Sequence, residues 1–153
     1  MILIHFAKEI VSLEKKILIV DDETDLLEVL VDLFNLSGWT TEVAENGLIG
    51  MQKIESFKPN VILSDINMPD MDGVEFLKQI YHTGIEIPVI FLSGFRDLDK
   101  MTKAWTYCAY DFLDKPTKDE ELLSMADSAL RYGVEYVKSA RKRFYNYKVK
   151  NKD

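Results

Sequence analysis

The chain has 153 residues, 47% of them hydrophobic and 11% aromatic, enough for one domain with a sizeable core and too apolar for a disordered segment. No run of about 18 apolar residues occurs, which excludes a membrane-spanning helix. The net charge of −7 is unevenly spread: residues 138–153 carry +6, seven Lys/Arg against Asp153, and the preceding body carries −13, 12 bases against 25 acids, a balance that argues against nucleic-acid binding by the body.

The opening MILIHFAKEIVSLEKK lacks the basic leading stretch and cleavage site of a signal peptide, so a cytoplasmic protein is expected. Ile2, Phe6, Ile10 and Leu13 fall on one helical face of this N-terminal extension, residues 1–14. Lys16 to Val20 is a β-branched run that reads as a strand. Leu26, Leu27, Leu30, Val31 and Phe34 recur at helical spacing, with Asp22 or Thr24 as candidate caps and Gly38 where the helix would stop. Thr40 to Ala44 reads as a second strand, and Asn46-Gly47 as a turn. Leu48 to Phe57 reads as a helix closed off by Pro59. Val61 to Ser64 is a third strand, and Val74 to Tyr81 a helix with Gly84 beyond its end. Pro88 to Leu92 gives a fourth strand, Asp97 to Tyr107 a fourth helix and Asp111 to Leu113 a short fifth strand. A last helix begins near Lys118.

Strands alternating with helices in this way predict an α/β fold, a doubly wound parallel sheet covered on both faces. In such sheets ligands bind at the carboxyl ends of the strands. Asp21-Asp22 follows the first strand, Asp65 the third, Ser93 the fourth and Lys115-Pro116 the fifth. Clustered carboxylates repel one another unless a cation intervenes. Oxygen ligands without His or Cys suit a hard ion, Mg²⁺ above all. Carboxylate, Mg²⁺, lysine and hydroxyl together suit phosphoryl transfer, with a carboxylate as the nucleophile.

These motifs resemble the receiver domain of two-component response regulators, the CheY-like superfamily. The resemblance rests on Asp21-Asp22, on SDINMPDMDG at 64–73, on Leu92-Ser93-Gly94 and on DFLDKP at 111–116. It covers roughly residues 15–131 and implies a flavodoxin-like sheet of order 2-1-3-4-5. It implies that Asp65 accepts a phosphoryl group from a sensor histidine kinase or phosphotransfer protein, assisted by Lys115 and Ser93. Asp22, Asp65 and the carbonyl of Asn67 would hold Mg²⁺, and Asp21 would act mainly through metal-bound water. Ser93 and Phe112 would switch together on phosphorylation, and Lys115-Pro116 would be cis. Such a domain is a phosphoacceptor in signalling that assists its own phosphorylation and dephosphorylation, rather than an enzyme with a separate substrate.

Several positions depart from the commonest pattern of the family. Ser93 stands for threonine, Gly94 for alanine, Phe112 for tyrosine and Cys108 for glycine, and none removes a required group. Asn67 and Phe95 stand where family members tune dephosphorylation, and a bulky Phe95 is expected to hinder the attacking water. A lone Cys108 forms no intrachain disulfide, which agrees with a reducing compartment. Trp39, Trp105 and Met68 read as packing residues, Asp70 and Asp72 as solvated loop acids, and His5 and His82 as incidental.

Two rivals are weighed. An aspartyl-nucleophile phosphatase of the haloacid dehalogenase type would need a second aspartate two positions after the first, and Glu23 and Thr24 fail that test. A phosphorylation-independent interaction module would keep the fold. Beyond the resemblance, Leu123, Ala126, Leu130, Gly133, Val137, Ala140, Phe144 and Tyr147 repeat at heptad spacing. Residues 132–153 are therefore read as an extended helix, dimerising through a coiled coil or leading to an output domain, as a solvated basic tail that frays after Gly133, or, third, as a basic tail that binds nucleic acid or membrane.

Overall fold

The computed structural model describes residues 13–94 and 97–151. Five parallel strands, β1 Lys16–Val20, β2 Thr40–Ala44, β3 Val61–Asp65, β4 Val89–Ser93 and β5 Asp111–Asp114, form one sheet of order β2-β1-β3-β4-β5. Between and after them come α1 Thr24–Leu36, α2 Gly47–Phe57, α3 Gly73–Thr83, α4 Leu98–Thr106 and α5 Asp119–Lys150. This is the doubly wound α/β fold that the alternating pattern predicts.

The strands alternate their side chains between two cores, as the pleat requires. Leu18, Val20, Ile62, Val89 and Phe91 face α2, α3 and α4, where Ile54, Phe76, Ile80 and Ala104 meet them. Ile17, Ile19, Val61, Leu63, Ile90 and Leu92 face α1 and α5, against Leu27, Leu30, Phe34, Ala126 and Ala129. Both faces of β1, β3 and β4 are covered, so these strands are apolar almost throughout. Each fully buried Leu, Ile or Phe contributes about 1.5–3 kcal/mol to this core.

The helix starts show how side chains satisfy orphan amides. Asn46 accepts from Ile49 N–H at 2.9 Å, Asp72 from Glu75 N–H at 2.9 Å and Asp97 from Lys100 N–H at 3.1 Å. Asn46-Gly47, expected as a turn, is therefore the capped start of α2. The Asp22 or Thr24 cap expected for α1 is also corrected. Glu23 holds the N-cap position without a side-chain cap bond. Asp72, expected only as a loop acid, caps α3. Cys108 lies in the left-handed region at φ 65°, a backbone state that favours glycine. Its thiol is buried.

The last helix does not fray at Gly133. It runs unbroken for 32 residues, about 48 Å. Most of its heptad seam faces its own domain. Ala126, Gly133, Val137 and Ala140 are buried, and Leu123 and Leu130 pack against the α1-side core. Gly133 lies flush on Pro88 at the start of β4: a Cβ built there would come within 2.4 Å of the proline Cβ. Arg141 then donates to the carbonyl of Ile85 at 2.7 Å and stacks over Tyr81 at 4.8 Å. Leu13 is exposed, and the remaining apolar residues of the N-terminal face, Ile2, Phe6 and Ile10, lie outside the described residues, as does Phe95.

Alanine is the better helix former by about 1 kcal/mol, yet it overpacks here at a cost of about 1–3 kcal/mol. Gly133→Ala is therefore expected to destabilise the domain or leave it no more stable, despite the propensity gain. Urea unfolding checks the sign: a stabilisation of about 1 kcal/mol would mean that the contact with Pro88 yields freely.

Candidate functional site

Strand register assembles the site. Val20 pairs with Ser64, so Asp21 arrives beside Asp65. Asp65 pairs with Leu92, and Ser93 with Asp114, which brings Ser93 and Lys115 to the same edge. One carboxylate oxygen from each of Asp21, Asp22 and Asp65 lies within 4.8 Å of the other two. Asp21, Asp65 and Ser93 are buried, and Asp22 is exposed.

Lys115 reaches into this cluster from the loop after β5. Its ammonium donates to Asp21 Oδ2 at 2.9 Å and lies 3.6 Å from both Asp65 Oδ2 and Glu23 Oε1. The backbone fixes the rest. Ile66 N–H donates to Asp65 Oδ1 at 2.8 Å, and Glu23 N–H to Asp21 Oδ1 at 2.9 Å. Lys115 N–H donates to the carbonyl of Ser93 at 2.8 Å, and the Lys115-Pro116 peptide is cis, as expected.

Charge sets the protonation of the site. Burial raises the Asp65 pKa above its ordinary 3.8, and the charges of Asp21 and Asp22 add to this. Lys115 and the Ile66 amide oppose it without cancelling it. For Lys115, burial disfavours the ammonium, but the Asp21 hydrogen bond and the charges of Asp21, Asp65 and Glu23 outweigh it and raise its pKa. One ammonium does not balance three clustered carboxylates. The donors are oxygen only, so the surplus fits a hard divalent cation of the Mg²⁺ type.

The loop after Asp65 folds back tightly. Gly73 N–H donates to the carbonyl of Ile66 at 2.7 Å, and a Cβ on Gly73 would sit 2.3 Å from the carbonyl oxygen of Asp65. Only glycine admits this approach, so the glycine that closes the SDINMPDMDG motif packs α3 directly under the acid. Ser64 Oγ donates to the Asp65 carbonyl at 2.8 Å. Asn67 is exposed, and its Oδ1 accepts from Lys100 Nζ of α4 at 2.7 Å. Lys100 also lies 3.6 Å from Asp72. Gly94 has room for the alanine usual there, since a Cβ would meet only Lys115 Cβ at 3.9 Å.

Phe112 is half-buried. Its ring stacks on Phe91 with centroids 5.4 Å apart and meets the Trp105 indole edge-on at 5.0 Å. The structure thus brings Asp21, Asp22, Asp65, Ser93 and Lys115 to one sheet edge. Phe112 stands below them on β5, and Asn67 in the adjoining loop. Sequence reasoning missed Glu23 as a neighbour of Lys115 and Lys100 as the partner of Asn67. No short-range pattern signals either contact, because each joins segments far apart in the chain.

Over residues 17–127 the chain matches the response regulator receiver domain. It is 34% identical over 116 residues to the regulatory protein AtoC of Escherichia coli strain K12, covering 76% of this chain and 25% of AtoC. It is 35% identical over 114 residues to the DNA-binding transcriptional regulator NtrC of the same strain, covering 74% and 24%. The chain thus spans about a quarter of the length of these relatives. Among solved structures, the signal receiver domain of an HD domain-containing protein from Pseudomonas fluorescens Pf-5 superimposes with a TM-score of 0.75 at 29% identity, over 78% of this chain and 97% of that one. A CheY-like receiver domain protein from Methanospirillum hungatei JF-1 gives 0.75 and 29%, over 80% and 98%. A sequence match that runs from β1 into α5, with solved receiver domains superimposing over 78% and 80% of the chain, shows that the chain belongs to the response regulator receiver domain family.

Proposed function

We propose that this chain accepts a phosphoryl group on Asp65 from the phosphohistidine of a sensor kinase or phosphotransfer protein, and that the change is read through Ser93 and Phe112. The observation that carries this reading is the clustering of Asp21, Asp22 and Asp65 at the strand tips, with the Lys115 ammonium beside Asp21 and Asp65.

In the transfer, an Asp65 oxygen forms a bond to phosphorus while the bond from phosphorus to the imidazole nitrogen breaks, and the electron pair stays on the imidazole. The product is an acyl phosphate. Asp65 enters as the carboxylate, held by the Ile66 amide. Lys115 exchanges its Asp65 neighbour for a phosphoryl oxygen and offsets the added charge. Asp22, Asp65 and the Asn67 carbonyl would hold Mg²⁺, with Asp21 acting through its water. When bound, the ion neutralises charge that builds up on the phosphoryl oxygens. The hydroxyl of Ser93 donates to the same oxygens, and Phe112 repacks as Ser93 moves. Regulation of transcription by the whole protein is proposed from NtrC, a DNA-binding transcriptional regulator about three times the length of this chain.

Incubation with acetyl phosphate and Mg²⁺ is expected to add one phosphoryl group by intact mass, and Asp65→Asn to abolish the gain. A folded wild-type chain that gains nothing favours the phosphorylation-independent module. The raised Asp65 pKa gives a second expectation. In the native state Asp65 holds its proton more tightly than an unfolded aspartate does. Its contribution to stability is full below the ordinary 3.8 and is lost as pH rises through the raised native value. Without divalent cations, Asp65→Asn is therefore expected to be more stable than wild type near neutral pH, with the difference shrinking in acid. Added Mg²⁺ should stabilise wild type and leave Asp65→Asn largely unmoved. Thermal melts across pH, with and without Mg²⁺, check both, and a less stable variant in metal-free neutral buffer would contradict the argument.

A further inference from the structure

Trp105 stands between two features that the proposed function leaves unconnected. On one side its indole meets Phe112 edge-on at 5.0 Å, and Phe112 in turn stacks on the fully buried Phe91. On the other side Trp105 borders a cavity of about 540 Å³, whose remaining walls are Tyr136, Ala140, Arg143, Phe144 and Tyr147 of α5. Trp105 is 39% exposed. It is packed against the switch aromatic and unpacked toward the extended helix.

The helix itself is held unevenly. Up to Arg141 it is fixed by Gly133 on Pro88, by Arg141 on Ile85 and Tyr81, and by the edge contact of Tyr136 with Tyr110 at 5.4 Å. Past Arg141, Phe144 is half-buried at the cavity wall and Tyr145 and Tyr147 are largely exposed. Apolar side chains that line open space gain contact if a neighbour closes onto them. The neighbour with both the room and the size to do so is Trp105.

We propose that Trp105 is a relay that couples the position of Phe112 to the end of α5. When Phe112 repacks, Trp105 loses its edge partner and closes into the cavity against Phe144 and Tyr147, which firms the helix beyond Arg141. This rests on the phosphoacceptor reading, because Phe112 repacks only if Asp65 is modified. The coupling is a two-position element that the site biases, not a wire of contacts inferred from proximity.

Hydrogen exchange with mass spectrometry on the full chain, with and without acetyl phosphate and Mg²⁺, tests it, with intact mass recorded on each sample. The expected result is severalfold slower amide exchange over residues 142–150 in the phosphorylated wild type. Trp105→Ala should gain the phosphoryl group as before and lose the slowing. Phe144→Ala, on the opposite wall, should do the same, so the outcome does not hang on one variant. Phosphorylation without slowing, or slowing that survives in both variants, overturns the relay and leaves the phosphoacceptor reading standing. Absence of any mass gain in wild type overturns both.

Discussion

Lys115 brings one ammonium to an edge where the topology has already gathered acids. With parallel strands of similar length in register, whatever follows each strand collects at one place, and here that is Asp21, Asp22 and Asp65. Asp21 is almost wholly buried, so its pairing with Lys115 at 2.9 Å is not the weak ion pair of a surface. Removing one partner of a buried pair typically costs about 3–5 kcal/mol, because a desolvated charge is left behind. The remaining arrangement follows from this contact. Asp21 takes the shorter bond, and Asp65 Oδ2 lies 3.6 Å from the same ammonium. The Lys115 backbone ties β5 to β4 through Ser93, so the lysine is positioned by the same strands that carry the acids.

Most of the sheet was legible in the sequence because burial on both faces leaves a plain mark, apolar runs such as Ile17 to Val20 and Val61 to Leu63. The strand-tip residues were legible for a related reason: an acid that ends an apolar run stands out. Reading failed where a residue had two local uses. Asn46-Gly47 fits a turn as well as a helix cap, and only the Ile49 amide decides between them. Asp72 looked like a solvated loop acid, and its bond to the Glu75 amide makes it the start of α3. The heptad seam was visible, but its partner was not. Small residues at 126, 133 and 140 admit a close neighbour of any kind, and here that neighbour is the chain's own domain.

Gly133 and Cys108 show local preference yielding to tertiary demand in opposite senses. Gly133 is a poor helix residue placed where only its lack of a side chain lets α5 lie on Pro88. Cys108 is a poor residue for a left-handed backbone, kept where its small apolar side chain is buried. Both lie near the path of α5, and together with Arg141 they define the end of the molecule opposite the acidic edge.

That opposition gives the molecule an electrical direction. Helix α5 starts beside the strand tips, passes the opposite edge at Pro88 and continues into Lys142, Arg143, Lys148 and Lys150. The acids gathered at the strand tips and the basic residues of α5 from Lys138 to Lys150 therefore lie toward opposite ends of a dipole. A charged partner feels its torque before contact and turns to meet the pole of opposite sign, so orientation is partly chosen during diffusion. The reach of this steering is set by the Debye length, about 8 Å in physiological salt, and the rate of productive encounter should weaken as salt is raised even where the bound complex does not.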